Sequence, residues 1–398
     1  MDRRRHVTLG FERIEALLDA MGHPEHEIPH VVQVVGTNGK GTTAVALAAA
    51  LEEMGQPSGT YLSPHVLSYT ERVVLRGHWS SERDFAAAMG ETMDLADRRG
   101  ISVSQFEILT AGALKMFAEA GLSWAILEAG LGARLDATSV ARPNAVVLTN
   151  VALDHTEYLG ETVEEIAEEK LASVGPGTTL FLGTDDERVS RLAQSTCRRI
   201  GADLAELAGS RESAASTDLA LYATGDVNLG LAVAEALLGI SLPSGVKERA
   251  ALAVGETLPG RFEVREVDGV PVVLDGGHNV AGISAAMAAV RRAYPGRPLG
   301  VVFGVLREKN VAGMLSRFAG GAHAIVLTRP EGERASDPAL VSSEHNPLDS
   351  AERRALVVPD PVEALGEAVG AVRDVDGVVL VTGSLSTVAP VLRWLREA

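Results

Sequence analysis

The chain contains the segment Val31-Val32-Gln33-Val34-Val35-Gly36-Thr37-Asn38-Gly39-Lys40-Gly41-Thr42-Thr43, in which an uncharged, β-branched run ends in a glycine-rich turn. An alanine-rich segment with strong helix propensity, residues 44–54, follows directly. Glycines let the backbone approach phosphate oxygens closely, and a helix N-terminus offers N–H groups and the positive end of its dipole. The order of strand, glycine loop and helix therefore predicts a phosphate-binding loop.

The residue types in this loop suit a nucleotide and its metal ion. Lys40 is placed to reach the outer phosphates, and Thr42 or Thr43 can place a hydroxyl on Mg²⁺. The segment departs from the pattern G-x-x-x-x-G-K-[ST], because Gly41 separates Lys40 from Thr42. The alternative is a glycine-rich turn without a ligand. The candidate nucleotide-binding residues of the loop are Thr37, Asn38, Gly39, Lys40, Gly41, Thr42 and Thr43.

Length and composition narrow the class of protein. A chain of 398 residues is long for one core and suggests two domains. A net charge of −17 argues against nucleic acid or an anionic membrane as a main partner. The single cysteine, Cys197, excludes a disulfide framework and a thiolate metal cluster. Without an apolar signal-peptide core near the N-terminus, we expect a cytoplasmic enzyme.

Strand-like and helix-like segments alternate along the chain, which predicts an α/β fold. The expected architecture is a P-loop parallel sheet flanked by helices, followed by a smaller Rossmann-like α/β domain. A break rich in proline and glycine, residues 241–260, suggests a domain boundary near Leu258, giving domains 1–258 and 259–398. The expected strands are 58–62, 124–128, 145–149, 270–274, 299–303, 324–327, 355–358 and 378–381, and the expected helices are 82–99, 105–120, 162–174, 187–200 and 226–238.

Polar and glycine-rich residues follow many of these strands. Ligands of open parallel sheets bind at the carboxyl ends of the strands, so these positions are the informative ones. They are 36–43, 63–65, 128–132, 150–155, 275–279, Gly304 and 383–384. A purely structural fold would not need polar residues at so many strand ends.

Several motifs, in order, give the chain a family resemblance. They are Gly36-Thr37-Asn38-Gly39-Lys40-Gly41-Thr42, Tyr61-Leu62-Ser63-Pro64-His65, Thr70-Glu71-Arg72-Val73, Phe106-Glu107-Ile108-Leu109-Thr110, Leu127-Glu128-Ala129-Gly130-Leu131-Gly132-Ala133-Arg134-Leu135-Asp136, Leu153-Asp154-His155-Thr156, Leu258-Pro259-Gly260-Arg261-Phe262-Glu263 and Leu274-Asp275-Gly276-Gly277-His278-Asn279. The set resembles the folylpolyglutamate synthase/dihydrofolate synthase family of the Mur ligase superfamily. Ala133 and Gly277 stand where Gly and Ala are commoner in that family.

The resemblance implies a ligase that uses ATP and Mg²⁺. Such enzymes phosphorylate a folate or dihydropteroate carboxylate, and the amine of L-glutamate then attacks the acyl phosphate, releasing ADP and phosphate. A monomer with two Mg²⁺ sites is expected. The alternatives are another Mur-type amino-acid ligase and a non-catalytic P-loop nucleotide switch.

The resemblance also assigns roles to residues outside the loop. Glu128 ends a buried strand, where an unpaired charge would be costly, so it is a candidate Mg²⁺ ligand beside Thr42. An ion pair with Arg134 or a lysine is the alternative. Ser63 and His155 match positions that, with Glu128, hold a second Mg²⁺ in the family. The resemblance implies substrate contacts from Ser63, Pro64, Arg72, Phe106 and Asp154. Beyond the loop, it implies ATP contacts from Asn228, Arg261, Asp275 and His278, with Lys309 ranked lower.

Lys170 interrupts an apolar helical stripe. Thr162 and Glu165 fit a capping box, and helical spacing then places Lys170 with Ile166 and Leu171. A lysine that extends to solvent is one interpretation. The resemblance implies the other, a lysine that is carbamylated and supports the metal site. The expected catalytic residues are thus Lys40, Glu128, His155, Lys170 and His278.

Overall fold

A computed structural model of the chain describes residues 10–207, 224–345 and 355–397. The described residues form two compact units, which follow one another at Leu258 and Pro259. The sequence also indicates an amphipathic N-terminal segment that includes Leu9 and a helix within the polar segment 334–353. Leu9 and residues 346–353 lie outside the described residues.

The first unit is built on an eight-stranded sheet with the order β4-β3-β2-β5-β1-β6-β7-β8. Its strands are β1 (His30–Val35), β2 (Ser58–Tyr61), β3 (Val73–Leu75), β4 (His78–Trp79), β5 (Trp124–Glu128), β6 (Ala145–Leu148), β7 (Thr179–Leu182) and β8 (Asp203–Glu206). All neighbouring pairs are parallel except those that involve β3 and β4. The carboxyl ends of six strands therefore lie along one edge of the sheet.

Strand β1 occupies the centre of this edge because it pairs with β5 on one side and with β6 on the other. Five of its six residues are buried without alternation, as expected for a strand covered on both faces. The register sets Val34 beside Glu128 and Val35 beside Leu148. The chain segments that follow β1, β5 and β6 thus begin next to one another.

Helices cover both faces of the first sheet. They are α1 (Glu12–Met21), α2 (Lys40–Glu53), α3 (Glu82–Arg99), α4 (Gln105–Glu119), α5 (Thr156–Leu159), α6 (Val163–Lys170), α7 (Glu187–Ile200), α8 (Thr224–Leu238) and α9 (Ser244–Thr257). One apolar cluster joins α1, α3 and α4 to the sheet, and another joins α6 and α7 to it. Helix α2 is buried on nearly every side, because α8 and α9 pack on it. A Cβ at Gly230 of α8 would lie 2.6 Å from the Thr43 carbonyl oxygen, so this close approach requires glycine.

The second unit contains a six-stranded sheet with the order β13-β12-β11-β14-β10-β9, in which only β9 runs antiparallel to its neighbour. Its strands are β9 (Arg261–Val267), β10 (Val270–Asp275), β11 (Leu299–Phe303), β12 (Ala324–Leu327), β13 (Leu356–Val357) and β14 (Val378–Thr382), and its helices are α10 (Val280–Ala293), α11 (Val311–Leu315), α12 (Pro338–Glu344), α13 (Pro361–Arg373) and α14 (Leu385–Glu397). The α/β fold class, with two sheets that are mainly parallel, is confirmed.

The proline- and glycine-rich break predicted at 241–260 is wrong for most of its length, because α9 occupies Ser244–Thr257. Pro243 precedes this helix and Pro259 follows it, so the prolines mark its ends. Strands β3, β4, β7, β8 and β9 were not predicted from the sequence. Strand β9 carries charges at four of its seven positions, and no residue of β8 is fully buried, so neither shows a buried apolar run. Strands β3 and β4 have only three and two residues. Strand β7 is apolar and mostly buried, but it has only four residues. Within the described residues, no helix has the length and apolar character that crossing a membrane requires.

Candidate functional site

The glycine loop lies between β1 and α2 at the centre of the sheet edge. Gly36 has φ 149° and Gly39 has φ 80°, in the region that favours glycine. Helix α2 begins at Lys40, and its N-cap residue, Gly39, has no side chain to satisfy the first N–H groups of the helix. The Lys40 Nζ atom donates to the Thr37 carbonyl oxygen at 3.2 Å, so the ammonium group lies over the loop. This arrangement suits an anion at the start of α2.

The segment after β6 holds the loop in place. Asn150 accepts from the Asn38 N–H at 3.0 Å and donates to the Asn38 carbonyl oxygen at 2.8 Å. Thr149 donates to the same oxygen at 2.7 Å, and the Thr37 hydroxyl accepts from the Ala152 N–H at 3.0 Å. The loop conformation therefore depends on a neighbouring strand that is more than 100 residues away in the chain.

Glu128 provides a carboxylate at the start of α2. Its side chain is buried, and Oε2 accepts from the Ser63 N–H at 2.9 Å. A Cβ at Gly41 would lie 3.3 Å from that same oxygen, so the carboxylate lies against the backbone next to Thr42. Ser63 donates its backbone N–H to this carboxylate and Thr42 follows Gly41, and both residues carry hydroxyls. Carboxylate and hydroxyl oxygens are the hard ligands that Mg²⁺ prefers. The residues present therefore fit a Mg²⁺ ion. Arg134 forms an ion pair with Glu169 at 2.9 Å.

Lys170 lies beneath the loop. Its side chain is 4% exposed, and Nζ donates to the Gly36 carbonyl oxygen at 2.8 Å. The interpretation that Lys170 extends to solvent is therefore wrong. Burial, with a smaller contribution from the positive charge of Lys40, lowers the pKa of Lys170 to about 7, and Asp154 and Glu169 oppose this shift. The predicted capping box of Thr162 and Glu165 is confirmed at the start of α6.

Asp154 and His155 follow β6 and precede the short helix α5. Asp154 accepts from the His155 N–H at 3.0 Å, and its Oδ2 lies 4.0 Å from His155 Nε2. His155 has φ 50°, a left-handed conformation that is uncommon for a histidine. Asp154 and His155, two of the predicted site residues, therefore contact each other.

Helix α8 lies beside the glycine loop through Asp226. A Cβ at Gly39 would lie 2.2 Å from the Asp226 carboxylate, and the Thr43 hydroxyl donates to the Asp226 carbonyl oxygen at 3.1 Å. The first turn of α8 is therefore in contact with the first turn of α2. Asn228, on that same turn, is half-buried.

The chain after β2 forms a loop that a buried carboxylate organises. The side chain of Glu71 accepts from the N–H groups of Val66, Leu67 and Ser68 at 2.7–2.8 Å. Ser63 and Pro64 lie at the start of this loop. A pre-organised loop of this kind presents its side chains at low entropic cost when a ligand binds.

Arg72 is held within this loop. Its Nε donates to His65 Nδ1 at 2.8 Å, and its guanidinium lies 5.9 Å from the ring centre of Tyr69. Burial, together with the Arg72 charge, lowers the pKa of His65 to about 4, so His65 is neutral at pH 7 and accepts this hydrogen bond. The Arg72 side chain is thereby oriented by two neighbours.

Phe106 lies against the segment that follows β5. A Cβ at Gly130 would be 2.7 Å from the Phe106 ring, and the ring centres of Phe106 and Tyr61 are 5.8 Å apart. Asp136, which is buried, accepts from the N–H groups of Gly130 and Leu131 at 2.9 Å each. This carboxylate fixes the backbone over which the aromatic ring lies.

In the second unit, the loop after β10 is built around Asp275. The carboxylate is buried and accepts from the N–H groups of Phe262 and Gly277 at 3.1 and 2.9 Å. Burial raises the pKa of Asp275, and the positive charge of Arg261 opposes that increase. His278 Nδ1 lies 3.1 Å from the Gly276 carbonyl oxygen. Asp275, His278 and Arg261 therefore form one cluster.

Arg261 and Lys309 are the other predicted ATP contacts in the second unit, and the structure shows the surroundings of both. Glu263 pairs with Arg265 and accepts from the Gly260 N–H. Arg261 instead interacts with the carboxylate of Asp275. Lys309 lines a separate cavity of about 560 Å³ together with Arg307.

Three residues that shape the site without being obvious ligands had no role predicted from the sequence: Asn150, Asp136 and Asp226. Asn150 and Asp136 follow predicted strands, and this position was the available signal. Asp226 gave no signal, because its contact with Gly39 depends on how α8 packs against α2.

The fold and the glycine-loop site together are those of the Mur-type ligase class. Residues 34–213 match the family described as the Mur ligase middle domain, and residues 260–385 match the family described as the Mur ligase, glutamate ligase domain. A dihydrofolate synthase/folylpolyglutamate synthase of Haemophilus influenzae is 30% identical over 96% of this chain and 92% of its own length. The chain belongs to the folylpolyglutamate synthase/dihydrofolate synthase family.

Other relatives and solved structures support the same family membership. A probable bifunctional folylpolyglutamate synthase/dihydropteroate synthase of Halobacterium salinarum is 34% identical over 100% of this chain, which spans 51% of that relative. A Mycobacterium tuberculosis folylpolyglutamate synthase complexed with ADP and AMPPCP has a TM-score of 0.86 at 27% identity and covers 97% of this chain and 95% of its own. A Yersinia pestis bifunctional enzyme complexed with AMPPNP and Mn has a TM-score of 0.83 at 29% identity, over 98% and 95% of the two chains.

Proposed function

We propose that this protein is an ATP-dependent ligase that joins L-glutamate to the carboxylate of a folate or of dihydropteroate. The observation that carries the proposal is the convergence of the loop 36–43, the Lys40 ammonium and the Glu128 carboxylate at the start of α2. The family relationship supports the choice of glutamate and a pterin-linked acid as substrates. The domains 1–258 and 259–398 are proposed as the ATP-binding and glutamate-ligase domains.

The proposed reaction has two steps. A carboxylate oxygen of the acceptor attacks the γ-phosphorus of ATP, the bond to the β-phosphate oxygen breaks, and ADP leaves. The unprotonated amine of glutamate then attacks the acyl carbon, the bond from that carbon to the phosphate oxygen breaks, and an amide forms as the nitrogen gives up one proton to the departing phosphate. Because the protein makes no covalent bond in either step, its contribution is to position the substrates and to neutralise charge.

The loop is proposed to bind the phosphates. Its glycines and the start of α2 offer N–H groups to the oxygens, and Lys40 offers a charge at the outer phosphate. The ATP contacts in this proposal are Thr37, Asn38, Gly39, Lys40, Gly41, Thr42, Thr43, Asn228, Arg261, Asp275 and His278, with Lys40 and His278 also proposed as catalytic residues.

Thr42, Ser63, Glu128 and His155 are proposed to hold the divalent metal, with two Mg²⁺ sites expected, and Glu128 and His155 are also proposed as catalytic residues. Bound Mg²⁺ would supply charge neutralisation to the transferring phosphoryl group. Glu128→Gln tests this assignment, because glutamine can still accept from the Ser63 N–H while the negative charge is lost. We expect the Mg²⁺ concentration for half-maximal activity to rise at least about tenfold without a change in melting temperature. An unchanged Mg²⁺ requirement would remove Glu128 from the metal site.

The acceptor is proposed to bind along the loop after β2 and beside Phe106. Ser63, Pro64, Arg72, Phe106 and Asp154 are the proposed contacts. The fixed guanidinium of Arg72 suits a carboxylate, and the Phe106 ring suits a planar pterin.

Lys170 is also proposed as a catalytic residue. In this proposal it is carbamylated, and the carbamate would support the metal site. A pKa of about 7 leaves a large neutral fraction at physiological pH, and the neutral amine is the form that attacks CO₂. Carbon-13 NMR of protein equilibrated with labelled bicarbonate should show a carbamate signal that Lys170→Met abolishes and Lys115→Met retains. A wild-type spectrum without that signal would reject the modification.

Phosphate release tests the function as a whole. The assay contains MgATP, L-glutamate and either dihydropteroate or tetrahydrofolate, and a reaction without glutamate serves as the control. Turnover that needs both glutamate and one acceptor supports the proposal, and the active acceptor identifies the substrate. Protein that binds ATP yet releases no phosphate with either acceptor would overturn it. We expect a monomeric and cytoplasmic enzyme. Sedimentation velocity tests whether the protein is a monomer.

A further inference from the structure

Three potential metal ligands converge where α1 connects to β1, in a part of the chain that the proposed reaction does not use. His23 Nδ1 lies 3.0 Å from Glu25 Oε1, and His26 Nε2 lies 3.7 Å from the same oxygen. The candidate ligand atoms of the three residues all lie within 4.8 Å of one another. Two imidazoles and a carboxylate therefore face a common point.

Glu25 gives this cluster a feature that surface charges lack. The residue is 7% exposed although it is ionisable, and its Oε2 atom has no hydrogen-bond partner among the residues that the structure describes. A buried carboxylate oxygen without a partner is costly, because it loses its hydration without compensation. A cation bound by this carboxylate through Oε1 would offset the cost of burying its charge.

Local backbone geometry brings the two histidines together. Helix α1 ends at Gly22, which has φ 81°, and Pro24 opens a 3₁₀ turn, Pro24–Glu27. Residues three apart lie on one face of a 3₁₀ turn, so His23 and His26 share a side. Their rings are stacked with centres 4.8 Å apart.

We propose that His23, Glu25 and His26 form a binding site for a divalent first-row transition metal, with Zn²⁺ as the best-fitting ion. Imidazole nitrogens favour Zn²⁺ over Mg²⁺ or Ca²⁺. Tetrahedral ligands at about 2.0–2.1 Å from Zn²⁺ lie roughly 3.3 Å apart, and the two distances to Glu25 Oε1 fall on either side of that value. Asp19 Oδ1 lies 3.4 Å from His23 Nε2, as an outer carboxylate that orients a metal-bound histidine would.

The position of the site indicates a structural role. It precedes β1, which begins at His30, whereas the glycine loop follows the other end of that strand. Six strand residues span about 20 Å, so the metal would be remote from the phosphate loop. The ion would link the end of α1 to the 3₁₀ turn before β1 and would stabilise this part of the first unit without entering the reaction.

The test uses chelator-treated full-length protein, to which Zn²⁺ is added with excess Mg²⁺ present to compete at the nucleotide site. His26→Ala is the test variant, and His78→Ala is the matched control, because both histidines are exposed in the same unit. We expect wild type and His78→Ala to retain one more equivalent of Zn²⁺ per chain than His26→Ala. We also expect Zn²⁺ to raise their melting temperatures by at least about 2 °C, and that of His26→Ala by none.

Glu25→Gln provides a second variant that keeps the side-chain volume while removing the charge. It should lose the same Zn²⁺ equivalent as His26→Ala, and the visible spectrum of bound Co²⁺ should disappear with it. Equal Zn²⁺ retention by wild type and both variants would overturn the proposal, as would a wild-type protein that retains no Zn²⁺ at this site. A melting shift of equal size with added Mg²⁺ would also count against a transition-metal site.

Discussion

Each of the two units contains a strand, a glycine-containing loop and a helix in that order. The units differ in whether a side chain accepts from the first N–H groups of that helix. In the first unit, the N-cap of α2 is Gly39, which has no capping side chain. In the second unit, the N-cap of α10 is Asn279, whose side chain accepts from the Gly282 N–H at 2.8 Å. The start of α2 is therefore suited to an external anion, whereas the start of α10 has an internal cap.

The buried charge next to each loop also differs. Lys170 donates to the Gly36 carbonyl oxygen in the first unit, and Asp275 accepts from the Gly277 N–H in the second. The first loop is thus held through a carbonyl oxygen by a buried amine whose pKa is lowered, and the second through an N–H group by a buried carboxylate. Similar strand-loop-helix patterns in sequence therefore predict different chemistry once the cap and the buried charge are known.

The largest expected effect comes from removing the loop ammonium. Lys40→Met should lower kcat/KM for ATP by about 10²–10³-fold, because a charge that stabilises the transferring phosphoryl group is lost. Its melting temperature should stay close to that of wild type, since Lys40 is only half-buried. Lys115→Met, which removes an ammonium paired with Glu91 and Glu119 away from the loop, should keep near-normal activity. A loss below about tenfold for Lys40→Met would contradict the anion site.

The buried lysine predicts a pH dependence of stability. Its pKa of about 7 in the folded protein lies below the ordinary value of 10.5, so the unfolded chain binds more protons between these values. The free energy of unfolding of wild type, relative to Lys170→Met, should rise with pH above about 7, by up to about 1.4 kcal/mol per pH unit. Urea unfolding in CO₂-free buffer at several pH values measures this difference. Parallel curves for the two proteins would show that Lys170 is not buried as described.

Replacing Gly39 in the first loop and Gly277 in the second should show that the two loops differ in backbone conformation. Gly39→Ala should destabilise the first unit by about 1–3 kcal/mol and raise KM for ATP, because φ is 80° and the new Cβ would meet the Asp226 carboxylate. Gly277→Ala is the matched change, and its nearest atom would be Asp275 Oδ1 at 3.0 Å without a left-handed backbone. It should cost less than about 1 kcal/mol. Equal costs in denaturant unfolding would remove this distinction between the loops.

The smallest expected effect is the loss of the internal cap. Asn279→Ala should lower the stability of the second unit by about 1 kcal/mol, because the Gly282 N–H loses its acceptor. Asn310→Ala, which removes the exposed cap of the five-residue helix α11, should cost less. Hydrogen exchange at the first turn of each helix would measure both. Unchanged exchange in α10 would indicate that solvent replaces the Asn279 cap.

The sequence was sufficient where local chemistry alone sets the outcome. The helices at 82–99 and 187–200 were predicted with the bounds that the structure has, because each begins at a capping Ser or Asp and ends at glycine. The central strands were found because each is a mainly apolar run with no charged residue in its interior. The predicted break at 241–260 was wrong because proline and glycine mark helix ends as well as linkers, and only the packing of α9 on α2 distinguishes the two.

The sequence by itself determined the α/β fold, the glycine loop with Lys40, and the carboxylate Glu128 at the end of a buried strand, because these depend on residue type and short spacing. Tertiary structure alone determined that Asn150 holds the loop, that Asp226 lies against Gly39, and that Lys170 bonds to Gly36. Each of these contacts joins segments that are far apart in the chain. Their formation depends on the strand order and helix packing, which bring distant residues within hydrogen-bond distance and remove them from water.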